Sequence, residues 1–314
     1  GERDLGTGDV FANLDVVLDE DFRSPIPMGI KGIDNLLKGG LAKGEIGVIL
    51  APTGVGKTTI LTKIANTAFN MGFNVLQIFF EDNPKIIQRK HFTIWTGIEP
   101  DNLVLHKDKV FDKIHEIQNS MRNKLVLKKL PSDSLTMLQI KNQIRKMIAD
   151  GTKVDVVIMD YIDCVMPEKV LGDEWKSEGS VMRHFEAMCH ELGLVGWTAT
   201  QGNRSSISSE VVTTDQMGGS IKKAQVGHVI ISVAKTLQQK ELNLATIAIT
   251  KSRIGKDGVV FENCKFNNEL LEIDTEASVT FLGFEEQQEL KKADRVKELL
   301  DKRKQREQQQ RQGN

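Results

Sequence analysis

The sequence predicts an α/β fold, a mainly parallel central sheet flanked by helices, and three observations carry that prediction. Short apolar runs alternate with stretches of helical spacing along most of the chain, the pattern of strands joined by crossover helices. An early apolar run ends in Ala51-Pro-Thr-Gly-Val-Gly-Lys-Thr-Thr59, which reads as a phosphate-binding loop. Four groups suited to phosphate chemistry, namely this loop, Glu81, Asp160 and Gln201, stand at the carboxyl ends of predicted strands, where open α/β sheets form their sites.

In such a loop, small residues followed by Gly-Lys-Ser/Thr let backbone N–H groups curl around a β-phosphate, and the following helix adds its positive end. Here Ala51, Pro52, Thr53, Gly54, Val55, Gly56, Lys57, Thr58 and Thr59 form the cradle. Gly54 and Gly56 supply the permissive backbone, Lys57 is placed to reach the β- and γ-phosphates, and Thr58 puts its hydroxyl on Mg²⁺. Ala51 replaces the usual Gly at the first position. Apolar Ile46 to Leu50 precedes the loop and a helical stretch, Ile60 to Met71, follows it. That context predicts binding of a nucleoside triphosphate, with ATP and Mg²⁺ as cofactors.

Residues 1–25 form an acidic arm in which Val10, Phe11, Leu14, Val16, Val17 and Leu18 either dock on a neighbouring subunit or fray. Pro25 and Pro27 close it. Residues 26–283 read as one domain and 284–314 as a charged, flexible tail. Within the domain, residues 30–41 have helical spacing and stop at Gly39-Gly40. Residues 74–80 are a buried strand, 85–96 a helix broken by Gly97-Ile-Glu-Pro100, 109–121 a short helix, and 124–130 a strand ended by Pro131. A longer helix covers 135–149, and the strand 154–160 delivers an acid at its end. A linker with Gly172 and Gly179 leads into a helix through Met182, Phe185 and Leu192, and 194–200 is the next strand. The polar stretch 203–220 has no apolar period and is expected to be mobile. Strands over 228–233, 244–250 and 259–266 complete the domain.

The chain has 314 residues, 27% charged, with a net charge of −1, so it can bury a core and carries no global basic field. Contacts to nucleic acid would have to come from local patches. The three cysteines form no metal or redox pattern, which fits a reducing compartment, and the six histidines form no ligand cluster. No run of about 18 apolar residues appears. A soluble, cytoplasmic protein with no membrane contact is expected.

Phosphoryl transfer to water needs a held phosphate chain, a metal, a group that orients the water, and a cation for the developing charge. Asp160, after four apolar residues, is the candidate to hold Mg²⁺ directly or through water. Glu81 is the candidate to polarise water, with Asp82 as its alternative. Gln201 is placed to sense the γ-phosphate. Arg253 is the candidate finger, acting in cis or from a neighbour, against the alternative of an exposed structural arginine.

This order of motifs resembles the RecA-like ATPase domain of DnaB-type replicative hexameric DNA helicases and their phage relatives, over roughly Ile26 to Ile273. Pro27-Met-Gly-Ile-Lys-Gly-Ile-Asp-Asn-Leu36 and Gly39-Gly-Leu-Ala-Lys-Gly-Glu45 are similar to the segment before the family's phosphate loop. Phe80-Glu81 resembles its catalytic Glu, Ile158-Met-Asp-Tyr161 its Walker B, and Thr200-Gln-Gly-Asn-Arg204 its Ser/Thr-Gln-x-Asn-Arg motif. Lys251-Ser-Arg253 resembles its Lys-x-Arg, where the Arg acts across the subunit interface and Lys251 is its companion at the nucleotide. Two stretches depart from the pattern: Asp163 stands where the family often has Gln, and Ile221-Lys-Lys-Ala-Gln225 replaces a more acidic run.

The resemblance implies a P-loop NTPase that hydrolyses ATP as a homo-oligomer, a ring of six, and unwinds duplex DNA while moving 5′ to 3′ on single-stranded DNA. Two loops, roughly 166–179 and 203–223, would grip the strand through Lys169, Lys176, Arg204, Lys222, Lys223 and the backbone N–H groups of Gly218-Gly219. Little aromatic residue is interleaved there, which favours tracking of the DNA backbone over base stacking. A primase and a helicase loader are the further partners it implies. No stretch reads as the helical N-terminal domain of the bacterial type, so a fragment or a minimal phage-like form is expected. The alternatives on the same fold are a recombinase-like or clock-like ATPase, and a non-catalytic ring or loader module. Glu81, the Lys-x-Arg pair and the Thr-Gln-x-Asn-Arg motif disfavour the first, and intact Lys57, Glu81 and Asp160 disfavour the second.

Overall fold

Five-residue runs of Val, Ile and Leu have no polar face to offer water, and in the computed structural model they become strands covered on both sides. The structure describes residues 8–168, 174–201 and 223–276. In chain order its elements are α1 (Leu14–Val17), α2 (Lys31–Leu36), β1 (Ile46–Leu50), α3 (Lys57–Asn70), β2 (Val75–Phe79), α4 (Pro84–Thr96), α5 (Lys107–Ser120) and β3 (Leu125–Lys129). There follow α6 (Met137–Ala149), β4 (Val156–Asp160), α7 (Glu174–Leu192), β5 (Val195–Thr200), β6 (Val229–Ala234), α8 (Leu237–Glu241), β7 (Leu244–Ser252), β8 (Val259–Asn267) and β9 (Glu272–Asp274). Two 3₁₀ turns, Pro100–His106 and Ile162–Cys164, complete the described elements.

The described strands form one nine-stranded sheet in the order β3-β2-β4-β5-β1-β6-β7-β8-β9. From β3 to β6 every pairing is parallel; β7, β8 and β9 add in antiparallel fashion. Pairing of Leu50 with Thr200 and of Phe79 with Asp160 brings the loops after β1, β2, β4 and β5 out side by side. Because β7 runs the other way, its carboxyl end lies at the opposite edge of the sheet.

One sheet face packs Ile49, Ile158, Trp197 and Ile231 under α2 and α3; the other packs Val48, Met159 and Ile230 under α6 and α7. Local chemistry fixes the helix ends. Asn83 caps α4 with Pro84 in its first turn, and Gly97, at φ 72°, ends it. A capping box of Thr136 and Gln139 starts α6. Beneath the first face a buried polar chain ties three elements together. Gln77 of β2 donates to Thr62 of α3 at 3.1 Å and accepts from His91 of α4 at 2.8 Å, and His91 meets Asn66 of α3 at 3.0 Å.

The predicted elements are present with ends shifted by a few residues. One boundary is corrected: Gly179 is not in a linker but inside α7, which begins at Glu174. That also makes residues 174–179, assigned above to a DNA loop, helical. Elements α1, α8 and β9 were not anticipated. The stretch 203–220, the end of the domain past 276 and the tail 284–314 lie outside the described residues. In the arm, Val10, Phe11, Leu14, Val16, Val17 and Leu18 are all exposed. Among the described residues no helix is long and apolar enough to cross a membrane.

Candidate active site

Strand β1 delivers the chain into the loop Ala51 to Gly56, and α3 begins at Lys57, so the helix's unpaired N–H groups open toward the loop. Gly54 and Gly56 have φ of +79° and +128°, conformations that favour glycine. Gly56 is also confined by packing: a Cβ there would lie 2.5 Å from Phe266 Cε1 and 2.6 Å from Asn268 Oδ1. Thr59 Oγ1 donates to the same Asn268 Oδ1 at 2.7 Å. The turn after β8 therefore walls the phosphate loop.

Three predicted residues meet directly. Lys57 Nζ donates to Asp160 Oδ1 at 3.1 Å, and Thr58 Oγ1 donates to Asp160 Oδ2 at 2.8 Å. Asp160 is only 5% exposed, so its charge is compensated by these two donors. The Lys57 ammonium also lies 3.7 Å from the centroid of the Tyr161 ring. A hydroxyl and a carboxylate oxygen this close are hard oxygen donors of the kind Mg²⁺ takes together with water and phosphate oxygens; the residues fit that ion.

Glu81 follows β2, with an exposed side chain and a backbone carbonyl that accepts from Lys129 Nζ at 3.2 Å. Burial chiefly pushes the Tyr161 hydroxyl and the Cys164 thiol up, and the Glu81 charge adds to both. Gln201 emerges from β5 beside the turn after Asp160. Its N–H donates to Asp163 Oδ2 at 3.1 Å, and Thr200 Oγ1 donates to both Asp163 oxygens at 3.0 Å.

The structure corrects one predicted contact. Lys223, read as a DNA contact, is 5% exposed and its ammonium pairs with Asp163. A buried, paired lysine does not track a phosphate backbone. Lys169, Arg204, Gly218, Gly219 and Lys222 lie outside the described residues; Lys176 falls in α7, but its side chain is outside them too.

Lys251 and Arg253 are not brought to this site. The Arg253 N–H donates to the His228 carbonyl at 2.8 Å, and the His228 N–H donates to the Ile46 carbonyl at 2.9 Å. Arg253 therefore stands level with the start of β1. The phosphate loop stands at its end, roughly 17 Å away at about 3.3 Å per residue, beyond an arginine side chain. That distance removes the in-cis option. Arg253 is exposed and lines a cleft of about 470 Å³ with Arg23, Glu45 and His228; the Lys251 ammonium donates to the Gln225 carbonyl.

Two residues at the loop edge escaped the sequence reading. Asn268 had no signal beyond a polar turn. Lys235 ends the apolar strand β6 at the same edge as Asp160, and the strand-end rule applied to Asp160 would have found it. It is buried, its ammonium 4.1 Å from the Phe266 ring centroid, and burial pushes it down to about 8.

A phosphate loop opening α3, an acid ending β4 and this strand order define a P-loop NTPase of RecA-like fold. Residues 25–274 match the DnaB-like helicase C terminal domain, and the chain belongs to that family. The DnaB-like replicative helicase of Enterobacteria phage T4 is 21% identical over 243 residues, 73% of this chain and 50% of that protein. The DNA repair protein RadA of Aquifex aeolicus is 33% identical over 86 residues, 27% of this chain and 19% of that protein. The chain thus spans at most half the length of these curated relatives. Among solved structures, the ATPase domain of G40P aligns with a TM-score of 0.70 at 18% identity, covering 86% of this chain and 99% of that one. A DnaB-like replicative helicase described with its interactions with primase aligns at 0.68 and 18% identity, covering 86% and 68%.

Proposed function

We propose that the chain is the motor of an ATP-driven replicative DNA helicase that works as a hexameric ring, with ATP at the subunit interfaces and single-stranded DNA in the channel. One observation carries this reading: Lys57 and Thr58 both lie within 3.1 Å of Asp160 at one sheet edge, while Arg253 stands at the other. A site with a cradle but no finger is completed by a second copy that offers its opposite edge.

On binding ATP, Lys57 exchanges Asp160 for β- and γ-phosphate oxygens, and Thr58 and Asp160 are the residues that would hold Mg²⁺, which would supply charge neutralisation to the phosphates. Glu81 orients the attacking water, and Gln201 contacts the γ-phosphate. Lys251 and Arg253 of the adjacent subunit approach the same phosphate and stabilise the charge that develops on it. The loop backbone and the α3 N-terminus hold the phosphate chain throughout. Translocation is assigned 5′ to 3′, and Lys169, Lys176, Arg204, Lys222 and the Gly218-Gly219 amides contact DNA phosphates. The likeness to a helicase described with primase supports a primase as partner, and a loader is the second.

Strand displacement on forked DNA tests this reading, comparing substrates with only a 5′ or only a 3′ single-stranded tail. ATP-dependent unwinding that needs the 5′ tail is expected. Hydrolysis stimulated by single-stranded DNA without displacement would contradict it and favour a repair-type ATPase, the class of the shorter RadA match.

A further inference from the structure

The two edges of the sheet are joined by a short piece of chain that neither the nucleotide site nor the finger accounts for. Residues 223–228 run from the loop edge to the opposite edge across the face that also packs α7. At one end Lys223 is buried against Asp163, whose carboxylate also accepts from the Gln201 N–H and the Thr200 hydroxyl. In the middle Ala224 is fully buried in the core of that face, and Gly227 lies so close to β1 that a Cβ would meet Val48 Cγ2 at 3.0 Å. At the other end the Gln225 carbonyl accepts from the Lys251 ammonium, and the His228 carbonyl accepts from the Arg253 N–H at 2.8 Å. His228 itself is pinned to β1, its N–H on the Ile46 carbonyl at 2.9 Å and its Nδ1 accepting from the Ile46 N–H at 3.1 Å.

We infer that residues 223–228 are a strap that sets the Lys251-Arg253 pair offered to the neighbouring subunit according to what Gln201 meets in its own site, with Asp163 and Lys223 as positioning residues. The inference rests on the reading of Arg253 as a finger acting on the neighbour. The path is a continuous series of direct contacts: Gln201 N–H to Asp163, Asp163 to Lys223, and then five residues to two carbonyls that hold the finger pair. A displacement of Gln201 moves the carboxylate its N–H is bonded to. The Lys223 ammonium, buried and paired with that carboxylate, is drawn along with it, because pulling a buried ion pair apart is costly. The strap is too short and too tightly packed to absorb the shift as slack. The Asp163 and Lys223 charges, both departures from the family's pattern, thereby acquire a shared role.

The test uses two variants of the whole chain, mixed. Arg253→Ala keeps Glu81 but offers no finger; Glu81→Ala offers a finger but does not hydrolyse. Each competent site in the mixture joins Glu81 of the first chain to Arg253 of the second. Adding Lys223→Met to the finger-donating chain is expected to lower ATP turnover of the mixture roughly tenfold, in the range of ordinary coupling between sites, with Lys223→Arg keeping most of it. Loss that appears only when Lys223→Met is placed in the Glu81-bearing chain would overturn the inference, because Lys223 would then serve its own site alone. Unchanged turnover in both placements would overturn it as well. If Lys223→Met does not assemble, Asp163→Asn in the finger-donating chain is read in the same way. A mixture without the added substitution that shows no turnover instead contradicts the trans-acting finger itself, so the two failures are distinguishable.

Discussion

The carboxyl and amino edges of the same sheet are built on opposite plans. At the carboxyl edge, buried Asp160 is bonded to half-buried Lys57, the loop is walled by Phe266 and Asn268, and α3 beneath it is tied to β2 and α4 through Thr62, Gln77, His91 and Asn66. At the amino edge, Arg253 is exposed beside an open cleft, held by its backbone rather than by its guanidinium. A preorganised edge can bind phosphate with little rearrangement. An edge that leaves an arginine exposed beside a cleft is suited to a neighbour. On the proposed reading, the difference makes one chain the carrier of two half-sites that the distance along β1 keeps from joining within the chain.

The largest expected effect breaks the carboxyl half. Lys57→Ala removes the phosphate-loop cation bonded to Asp160, and ATP turnover should fall to background. Near-normal turnover in that variant would remove the loop from the reaction. Arg253→Ala separates the halves more finely. It should lower turnover by about 10³-fold or more, the range of arginine fingers, while equilibrium binding of ATP is retained. A parallel loss of binding would mean that Arg253 supports the fold or the cradle instead.

A smaller effect concerns the support under the carboxyl edge. Burial holds His91 down at about 3 against an ordinary 6.5, so it stays neutral in the folded chain. Between those values the unfolded chain binds a proton that the folded chain does not. His91 therefore leaves stability unaffected above 6.5 and lowers it as pH falls toward 3, by roughly 1.4 kcal/mol per pH unit. Asp34, raised by burial to about 6 from 3.8, acts in the opposite sense, adding stability as pH falls through that window. A comparison of His91→Gln with the parent cancels the Asp34 contribution. In urea titrations the variant should gain on the parent steadily from pH 6.5 to 4.5, and parallel curves would show that His91 is not held neutral.

How much of this was legible in the sequence depends on how local the cause is. The phosphate loop is encoded in nine consecutive residues, and Asp160 announces itself as an acid closing an apolar run; both were found and lie together. The opposed edges were not legible, because the antiparallel turn of β7 that carries Arg253 away from its own loop is a matter of topology. Asn268 was invisible for a related reason: its bond to Thr59 spans 209 positions. Lys223 was misread because a lysine in a polar stretch looks the same whether solvated or buried, and its partner Asp163 stands 60 positions earlier. The start of α7 was misplaced because Gly172 and Gly179 read as punctuation, while a glycine inside a long helix costs only about 1 kcal/mol.

The claim that each chain carries two half-sites is tested most directly by mixing Arg253→Ala chains with Glu81→Ala chains, each inactive alone, and measuring ATP turnover. Turnover that rises on mixing, to a fraction set by the random meeting of an intact carboxyl edge with an intact amino edge, is the expected result. Turnover that stays at the sum of the two inactive variants, in mixtures shown to assemble together, would contradict the account.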